Sequence, residues 1–408
     1  MSVATSHQNT TPADFAGSFG PRGTIRAVPL VSRRRLLFST AALAACGPPK
    51  ATEFSGYCFV ANQGSRSVAA IDLRRFRVRK QIPLDAAPSL VVRHPSLPKV
   101  YVLAPETGAV YEIEAASLAA VRRVRAGSQA IGMQMSPLHN ALWVAYRDPA
   151  ALVEIPLDSM KPRRRVRLAS PPDAFDLTGH GSERHLAAAA CTRDRTIAVA
   201  SLDSAAVERT IAMPQEPSIL CFRGDGRQVI AGSHSDRSLT IFEAASGQTV
   251  VRLPLAVAPR FFCVKSDAGQ LFISGDGMDA VVIVFPYSTE IWQTVLAGRA
   301  PGAMAVTDSP PYLLVANPDT DCVTVLDVES QKLVAQVQVG KRPGQILLTP
   351  DGQYALVLNR DSGDMAVIRT YSLRAPQLSA RARFKSAPVF TMIPVGEQPV
   401  SAAVVALT

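Results

Sequence analysis

Pro301–Gly352 reads PGAMAVTDSPPYLLVANPDTDCVTVLDVESQKLVAQVQVGKRPGQILLTPDG. Four short apolar runs lie in it, each closed by turn residues. Ala303–Val306 stops at Asp308-Ser309-Pro310-Pro311, and Tyr312–Ala316 at Asn317-Pro318-Asp319. Val323–Leu326 stops at Asp327 and Glu329. Leu333–Val339 stops at Gly340-Lys341-Arg342-Pro343, and the cycle restarts at Gly344. Runs this short, rich in Val, Leu and Tyr and bounded by Gly, Pro, Asn and Asp, are strand signals. Four strands and a restart describe one blade of a β-propeller.

The rest of the chain copies this unit. Runs matching Tyr312 start near Tyr57, Val100, Ala141, His185, Gln228, Gln270 and Tyr354. A proline opens most of the innermost strands: Pro88, Pro172, Pro217, Pro259, Pro301, Pro343 and Pro399, with Gln129 in the remaining place. The steps are 41, 43, 45, 42, 42, 42 and 56 residues, a blade-like period. Proline suits a strand start, where no ladder donor is lost. The series opens on a second strand and ends on a first strand, Val400–Thr408. Joining the two ends would leave no open sheet edge. The expectation is an all-β chain: a single closed β-propeller of eight four-stranded blades, closed by the C-terminal strand joining the first blade. The alternative is seven blades. It would demote His185–Leu202, where alanines replace branched residues.

Phe59-Val60-Ala61-Asn62, Val68-Ala69-Ala70-Ile71-Asp72, Tyr312–Asn317, Val323–Asp327 and Val339-Gly340-Lys341-Arg342-Pro343 resemble the YVTN-type β-propeller repeats of the YncE-like family. The resemblance runs from Tyr57 onward and is closest in blades one, seven and eight. It implies a fold and an exported protein, and says little of activity, because one scaffold hosts unrelated functions. Many family members resemble seven-bladed rings, so eight blades departs from the commoner number.

Residues 1–30 are polar, with no apolar period, and are expected to be a disordered extension. Residues 31–46 read as an export signal: Arg33, Arg34 and Arg35, then an apolar run to Cys46. Ser32-Arg33-Arg34-Arg35-Leu36-Leu37 resembles a twin-arginine motif. Leu43-Ala44-Ala45-Cys46 resembles a bacterial lipobox, which implies acylation of Cys46 and a place in the bacterial cell envelope. Residues 47–56 are a linker and 57–408 the propeller. Several acyl chains hold a membrane firmly where one does not. No later apolar run is long enough to span a bilayer.

The formal charge is +10, and residues 1–46 hold five Arg and one Asp, so about +6 belongs to the remainder. Cys58, Cys191, Cys221, Cys263 and Cys322 stand singly, without CxxC or CxxCH. They read as small strand residues rather than a disulfide or zinc framework. Cys221 and Cys263 hold equivalent innermost positions on neighbouring blades, usually too far apart for a bridge. The chain carries no G-x-S-x-G elbow, P-loop or GxGxxG. No catalytic residue, cofactor or metal site is assigned.

Two sets of residues remain. The loops of one propeller face hold Arg147, Asp148, Asp194, Asp236, Asp276, Asp279, Asp319, Asp321, Asp361 and Asp364. They are a candidate pocket rim, although Asp also serves turns. His94, His139 and His180 fall in turns of the opposite face and read as solvated. The second set is basic: Arg74, Arg75, Arg77, Arg79 and Lys80 in blade one; Arg122, Arg123 and Arg125 in blade two; Lys161, Arg163, Arg164, Arg165 and Arg167 in blade three. Blade eight adds Arg374, Arg381, Arg383 and Lys385. In a ring these make one basic sector. Charged outer strands also block edge pairing, but that does not explain confinement to one sector. Anionic lipid head groups are the expected partner. Nucleic acid is not expected, because few aromatics interleave. The sequence favours a monomeric, non-catalytic binding or scaffold propeller with an unidentified protein or small-molecule partner. The alternative is a lactonase-like propeller enzyme or an accessory subunit of a periplasmic redox system.

Overall fold

The computed structural model describes residues 54–136, 140–377 and 388–407. The export signal, with Arg33, Arg34, Leu43, Ala45 and Cys46, lies outside them, as do His139, Arg381, Arg383 and Lys385. No helix among the described residues is long and apolar enough to cross a membrane.

Eight four-stranded antiparallel sheets form eight blades. Blade 1 takes Gly56–Asn62, Ser67–Asp72 and Arg77–Pro83 as its second, third and outer strands. Its innermost strand is Pro399–Ala406, which pairs antiparallel with Gly56–Asn62 from Ala406 opposite Gly56 to Pro399 opposite Asn62. The C-terminal strand therefore closes the ring. Innermost strands of neighbouring blades touch all the way round, from Pro399–Ala406 against Leu90–Arg93 to Pro343–Leu348 against Pro399–Ala406.

The apolar core is divided into eight clusters, one at each blade–blade interface. This explains the alanines of blade 4. Its second strand, Leu186–Cys191, reads LAAAAC and is wholly buried. Ala187 and Ala189 pack in one cluster with Trp143 of blade 3, and Ala188 and Ala190 in the next with Phe222 and Phe242 of blade 5. Large neighbours fill the volume that small residues leave, so packing density is kept. Blade 4 is a full blade of four strands, and the seven-blade alternative falls.

Side chains of the innermost strands stitch the ring. The Ala402 N–H donates to Gln345 Oε1 at 2.7 Å and the Val91 N–H to Ser401 Oγ at 3.2 Å, linking blades 8, 1 and 2. Gln134 Nε2 donates to Asp176 Oδ1 at 3.1 Å, and the Phe222 N–H to Asp176 Oδ2 at 2.8 Å, linking blades 3, 4 and 5. Burial pushes the Asp176 carboxyl up against these two hydrogen bonds.

The outer strands share a feature invisible in the apolar pattern. In seven of them a β-bulge falls at one equivalent place. The extra residue is Arg79, Val121, Glu208, Val250, Trp292, Val334 or Phe390. A bulge twists an edge and interrupts its row of donors, which discourages pairing with another chain.

Candidate functional site at the channel mouth

The site begins with a repeated loop. Gly298-Arg299-Ala300-Pro301, Gly340-Lys341-Arg342-Pro343 and Gly396-Glu397-Gln398-Pro399 lead into the innermost strands of blades 7, 8 and 1. Ala300, Arg342 and Gln398 take φ of 50°, 52° and 51°, and Gln129 takes 52° in blade 3. Gln129 therefore stands where the residue before the proline stands, and Ala130, opposite Tyr146, holds the proline's own place. The glycine is required because a buried Asn lies beneath it. A Cβ on Gly298 would sit 2.6 Å from both Asn317 Oδ1 and Thr324 Oγ1, and one on Gly396 would sit 2.6 Å from Asn62 Nδ2. Asn62, Asn317 and Asn359 end the second strands of blades 1, 7 and 8 and are fully buried. Each spends its amide N–H locally: Asn62 on the Val395 carbonyl, Asn317 on Thr324 Oγ1, Asn359 on Asp364 Oδ1.

The loop between second and third strands bonds onto this turn. The Gln63 and Gly64 N–H groups donate to the Gln398 and Glu397 carbonyls, and Arg360 and Asp361 do the same to Arg342 and Lys341. Both loop classes therefore share one end of the ring, as the sequence pattern predicts. There they enclose a basin of about 740 Å3 whose polar lining includes Arg260, Asp276, Asp319, Arg342, Gln345 and Arg360.

The cations of this basin are held loosely. Arg260 Nη1 lies 3.3 Å from Asp276 Oδ2, Arg342 Nε lies 3.6 Å from Asp361 Oδ2, and Arg360 Nη2 donates to Gln63 Oε1 at 3.4 Å. His234 Nε2 meets Asp276 Oδ2 at 3.0 Å. That hydrogen bond, with Arg260 beside it, holds the Asp276 carboxyl below its ordinary range.

Of the expected rim residues, Asp276 and Asp319 line the basin and Asp361 holds Arg342. Others brace the turns. Asp279 Oδ1 accepts the Ala300 N–H at 2.9 Å and Asp321 Oδ1 the Arg342 N–H at 2.8 Å, each fixing the loop into the next blade. Asp364 receives Asn359, Asp236 receives Arg252, and Asp194 receives the Ser170 hydroxyl. Arg147 pairs with Asp173 at 2.6 Å and Asp148 accepts Ser128 Oγ at 3.0 Å. Sequence reading takes His234 only as part of the loop Ser233–Arg237 on this face and does not single out Arg260 or Arg342. The usable signal for Arg342 was its place before the proline of a G-x-x-P loop that opens on the mouth.

On the opposite face His94 is not solvated. It is buried, and its Nδ1 accepts the Ser96 and Leu97 N–H groups at 3.1 and 3.0 Å. His180 is exposed. No group of three His, Cys, Asp or Glu among the described residues is placed to hold a metal ion. All five described cysteines, Cys221 and Cys263 included, are unpaired thiols.

The basic sector divides in two. Glu112 and Glu154, in the third strands of blades 2 and 3, have no exposed side-chain surface, and each takes two cations. Glu112 meets Lys99 at 2.8 Å and Arg122; Glu154 meets Arg163 at 2.7 Å and Arg164 at 2.6 Å. Burial would raise the Glu154 pKa, but hydrogen bonds from Arg164 and Arg163 outweigh it and hold the value at about 2. The same arginines clasp the next blade: Arg122 donates to the Leu157 carbonyl at 2.7 Å and Arg164 to the Asp203 carbonyl at 2.9 Å. Arg123 pairs with Asp85 at 3.1 Å. Arg75, Arg77, Arg165 and Arg167 remain exposed.

No protein-family model matches the chain, and no curated protein matches it by sequence. Solved structures resemble its fold. "Dihydro-heme d1 dehydrogenase NirN in complex with DHE" superposes with a TM-score of 0.67 at 17% identity, covering 85% of this chain and 74% of that one. Kuenenia stuttgartiensis hydrazine synthase gives 0.54 at 12%, covering 70% and 98%. A functionally unknown protein from Desulfotomaculum acetoxidans gives 0.56 at 13%, covering 69% and 95%. At such identities the likeness concerns the eight-bladed fold.

Proposed function

We propose that this chain is a non-catalytic binding propeller. It is exported to a bacterial cell envelope, tethered there by an acylated Cys46, and takes a small anionic ligand at its channel mouth. One observation carries the reading: Arg260, Arg342 and Arg360 converge on a single basin, each with only a long contact to its neighbour. A guanidinium so placed has donors to offer to a carboxylate or phosphate in fork geometry. The basin's volume suits a small molecule. The tether rests on Leu43-Ala44-Ala45-Cys46.

The test is thermal melting of the full chain with citrate, succinate, phosphate and, as a neutral control, glucose. A bound anion at a hundred times its Kd stabilises the fold by about 2.7 kcal/mol, a rise of a few degrees. Arg260→Ala with Arg342→Ala should abolish the rise. No response to any anion, or a response that survives in the double variant, overturns the site. Labelled palmitate incorporation, lost in Cys46→Ser, tests the tether separately.

A second reading uses the same basin. One fold neighbour is named as a dihydro-heme d1 dehydrogenase, and His234 shares Asp276 with Arg260 at the rim. A macrocycle with carboxylate arms would find Arg260, Arg342 and Arg360 for those arms. When bound, such a group supplies one-electron chemistry, and the chain's residues bind and orient it. Haemin titration followed by visible absorption, with Arg342→Ala as control, separates the two readings.

A further inference from the structure

The cations of blades 1 to 3 differ in how they are used. Arg122, Arg163 and Arg164 compensate Glu112 and Glu154, which lie inside the sheets. They are internal counter-charges whose removal would strand a buried carboxylate. The outer strand of blade 1 has no such debt. Arg77, Arg79 and Lys80 are exposed, with Arg75 in the turn before them. None of the four makes an ion pair among the described residues. Asp72, opposite Arg77 in the strand ladder, spends Oδ1 on the Arg74 and Arg75 backbone N–H groups at 2.9 and 3.2 Å. Arg79 is also the bulge residue.

This patch continues round the rim. Arg123 of blade 2 bonds Asp85, which follows the outer strand of blade 1, and Arg165 of blade 3 donates to the Ala126 carbonyl of the preceding loop at 2.8 Å. These contacts tie each outer strand to the loop that follows the outer strand of the blade before it, and Arg165 and Arg167 are exposed on blade 3. Past blade 3 the character changes. The outer strand of blade 4 holds Glu208, paired with Arg184 at 2.5 Å, beside Arg209, which donates to the Ala245 carbonyl. Blade 5 has only Arg252, paired with Asp236, and the outer strands Glu290–Leu296 and Leu333–Gln338 of blades 6 and 7 hold no cation. Protection of sheet edges needs charge of either sign. It does not need one sign confined to three adjacent blades.

We infer that the rim of blade 1, with the neighbouring edges of blades 2 and 3, docks on an anionic lipid surface, head-group phosphates meeting Arg77, Arg79 and Lys80. The charge argument stands without the tether. The proposed tether reinforces it: the ten residues from Cys46 to Gly56 reach at most about 35 Å, and Gly56 starts the second strand of the same blade.

The test uses the full chain carrying Cys46→Ser, so that no acyl chain contributes, and sedimentation with two kinds of vesicle. One is phosphatidylcholine alone; the other mixes in phosphatidylglycerol. Binding is expected only to the mixed vesicles and should weaken steeply with added salt. Each basic residue near such a surface contributes roughly 1 kcal/mol. Arg77→Glu, Arg79→Glu and Lys80→Glu together should therefore lower the partition about a hundredfold or more. Circular dichroism and the melting temperature should stay unchanged. Arg77→Gln with Lys80→Gln is the milder form, expected to lose roughly tenfold or more. Equal binding by parent and variants overturns the inference, as does equal binding to both vesicles or no binding by the parent. Displacement by inorganic phosphate, at ionic strength matched with chloride, assigns the patch to free phosphate and also overturns it. Palmitate labelling reports the tether independently, so either can fail alone.

Discussion

Arg164, on the outer edge of blade 3, hydrogen-bonds through Nε at 2.6 Å to Glu154, whose carboxylate has no exposed surface. A carboxylate inside a sheet is tolerated only because two guanidiniums reach it. Arg164→Ala leaves Arg163 as the only partner and removes the clasp on Asp203. It should destabilise the protein by about 1–3 kcal/mol, read by urea unfolding at neutral pH.

The same site sets an acid limit. The Glu154 pKa is lowered on folding, so its stabilisation is complete above the ordinary value of 4.5 and is lost as pH falls towards about 2. Comparing parent with Glu154→Gln at a series of pH values, the parent's advantage should be largest near neutrality and shrink steadily between about pH 5 and pH 2. A constant difference across that range would contradict the assignment.

Gly298→Ala should fold poorly or melt early. Its φ of 87° disfavours a Cβ, and the added carbon would press on Asn317 and Thr324 at 2.6 Å. Both effects act together, for a cost of about 2–4 kcal/mol. Gly352→Ala is the control: it has a similar φ of 67° and nothing within 4 Å, so only the backbone penalty of about 1 kcal/mol remains.

At the mouth, carbon-detected NMR should find the Asp276 carboxyl titrating below its ordinary 3.8. His234→Ala should move it back upward, because the imidazole is the first cause of the lowering. An unchanged titration would mean that the two side chains do not pair in solution.

Burial pushes the Cys58 thiol up to about 12 and the Cys191 and Cys263 thiols to about 11. At pH 8 little thiolate exists at any of them. The native chain should react with a thiol reagent at none of the three within minutes, and at all of them in urea.

The ring was legible because turn residues punctuate it: a run of prolines near forty-two residues apart counts blades without any knowledge of packing. The alanines of blade 4 looked weak for the opposite reason. Their volume is supplied by Trp143, Phe222 and Phe242, which belong to other repeats, and a repeat read by itself cannot show its neighbours. The basic sector was visible as composition, but its division was not. Sequence shows that Arg163 and Arg164 are adjacent, and gives no sign that both turn to one buried Glu. The edges break the alternation that parity counting relies on. Arg260 shares a hairpin with Asp276, but His234 comes from the preceding blade, and only the packing of blade 5 against blade 6 brings it to that carboxylate.

Pro399–Ala406 reaches its partner Gly56–Asn62 from the far end of the chain, and every contact it makes there is available to the same strand of a second molecule. Exchange would keep the strand pairing and would open the turn from Val395 to Gln398 that joins the strand to blade 8. Within one chain the strand is favoured by its high effective concentration near its own first blade. In concentrated refolding mixtures that advantage shrinks, and reciprocal domain-swapped dimers become competitive. Such a dimer would be indistinguishable from the monomer blade by blade. Its formation would depend on how the protein was folded rather than on the chemistry of its exterior.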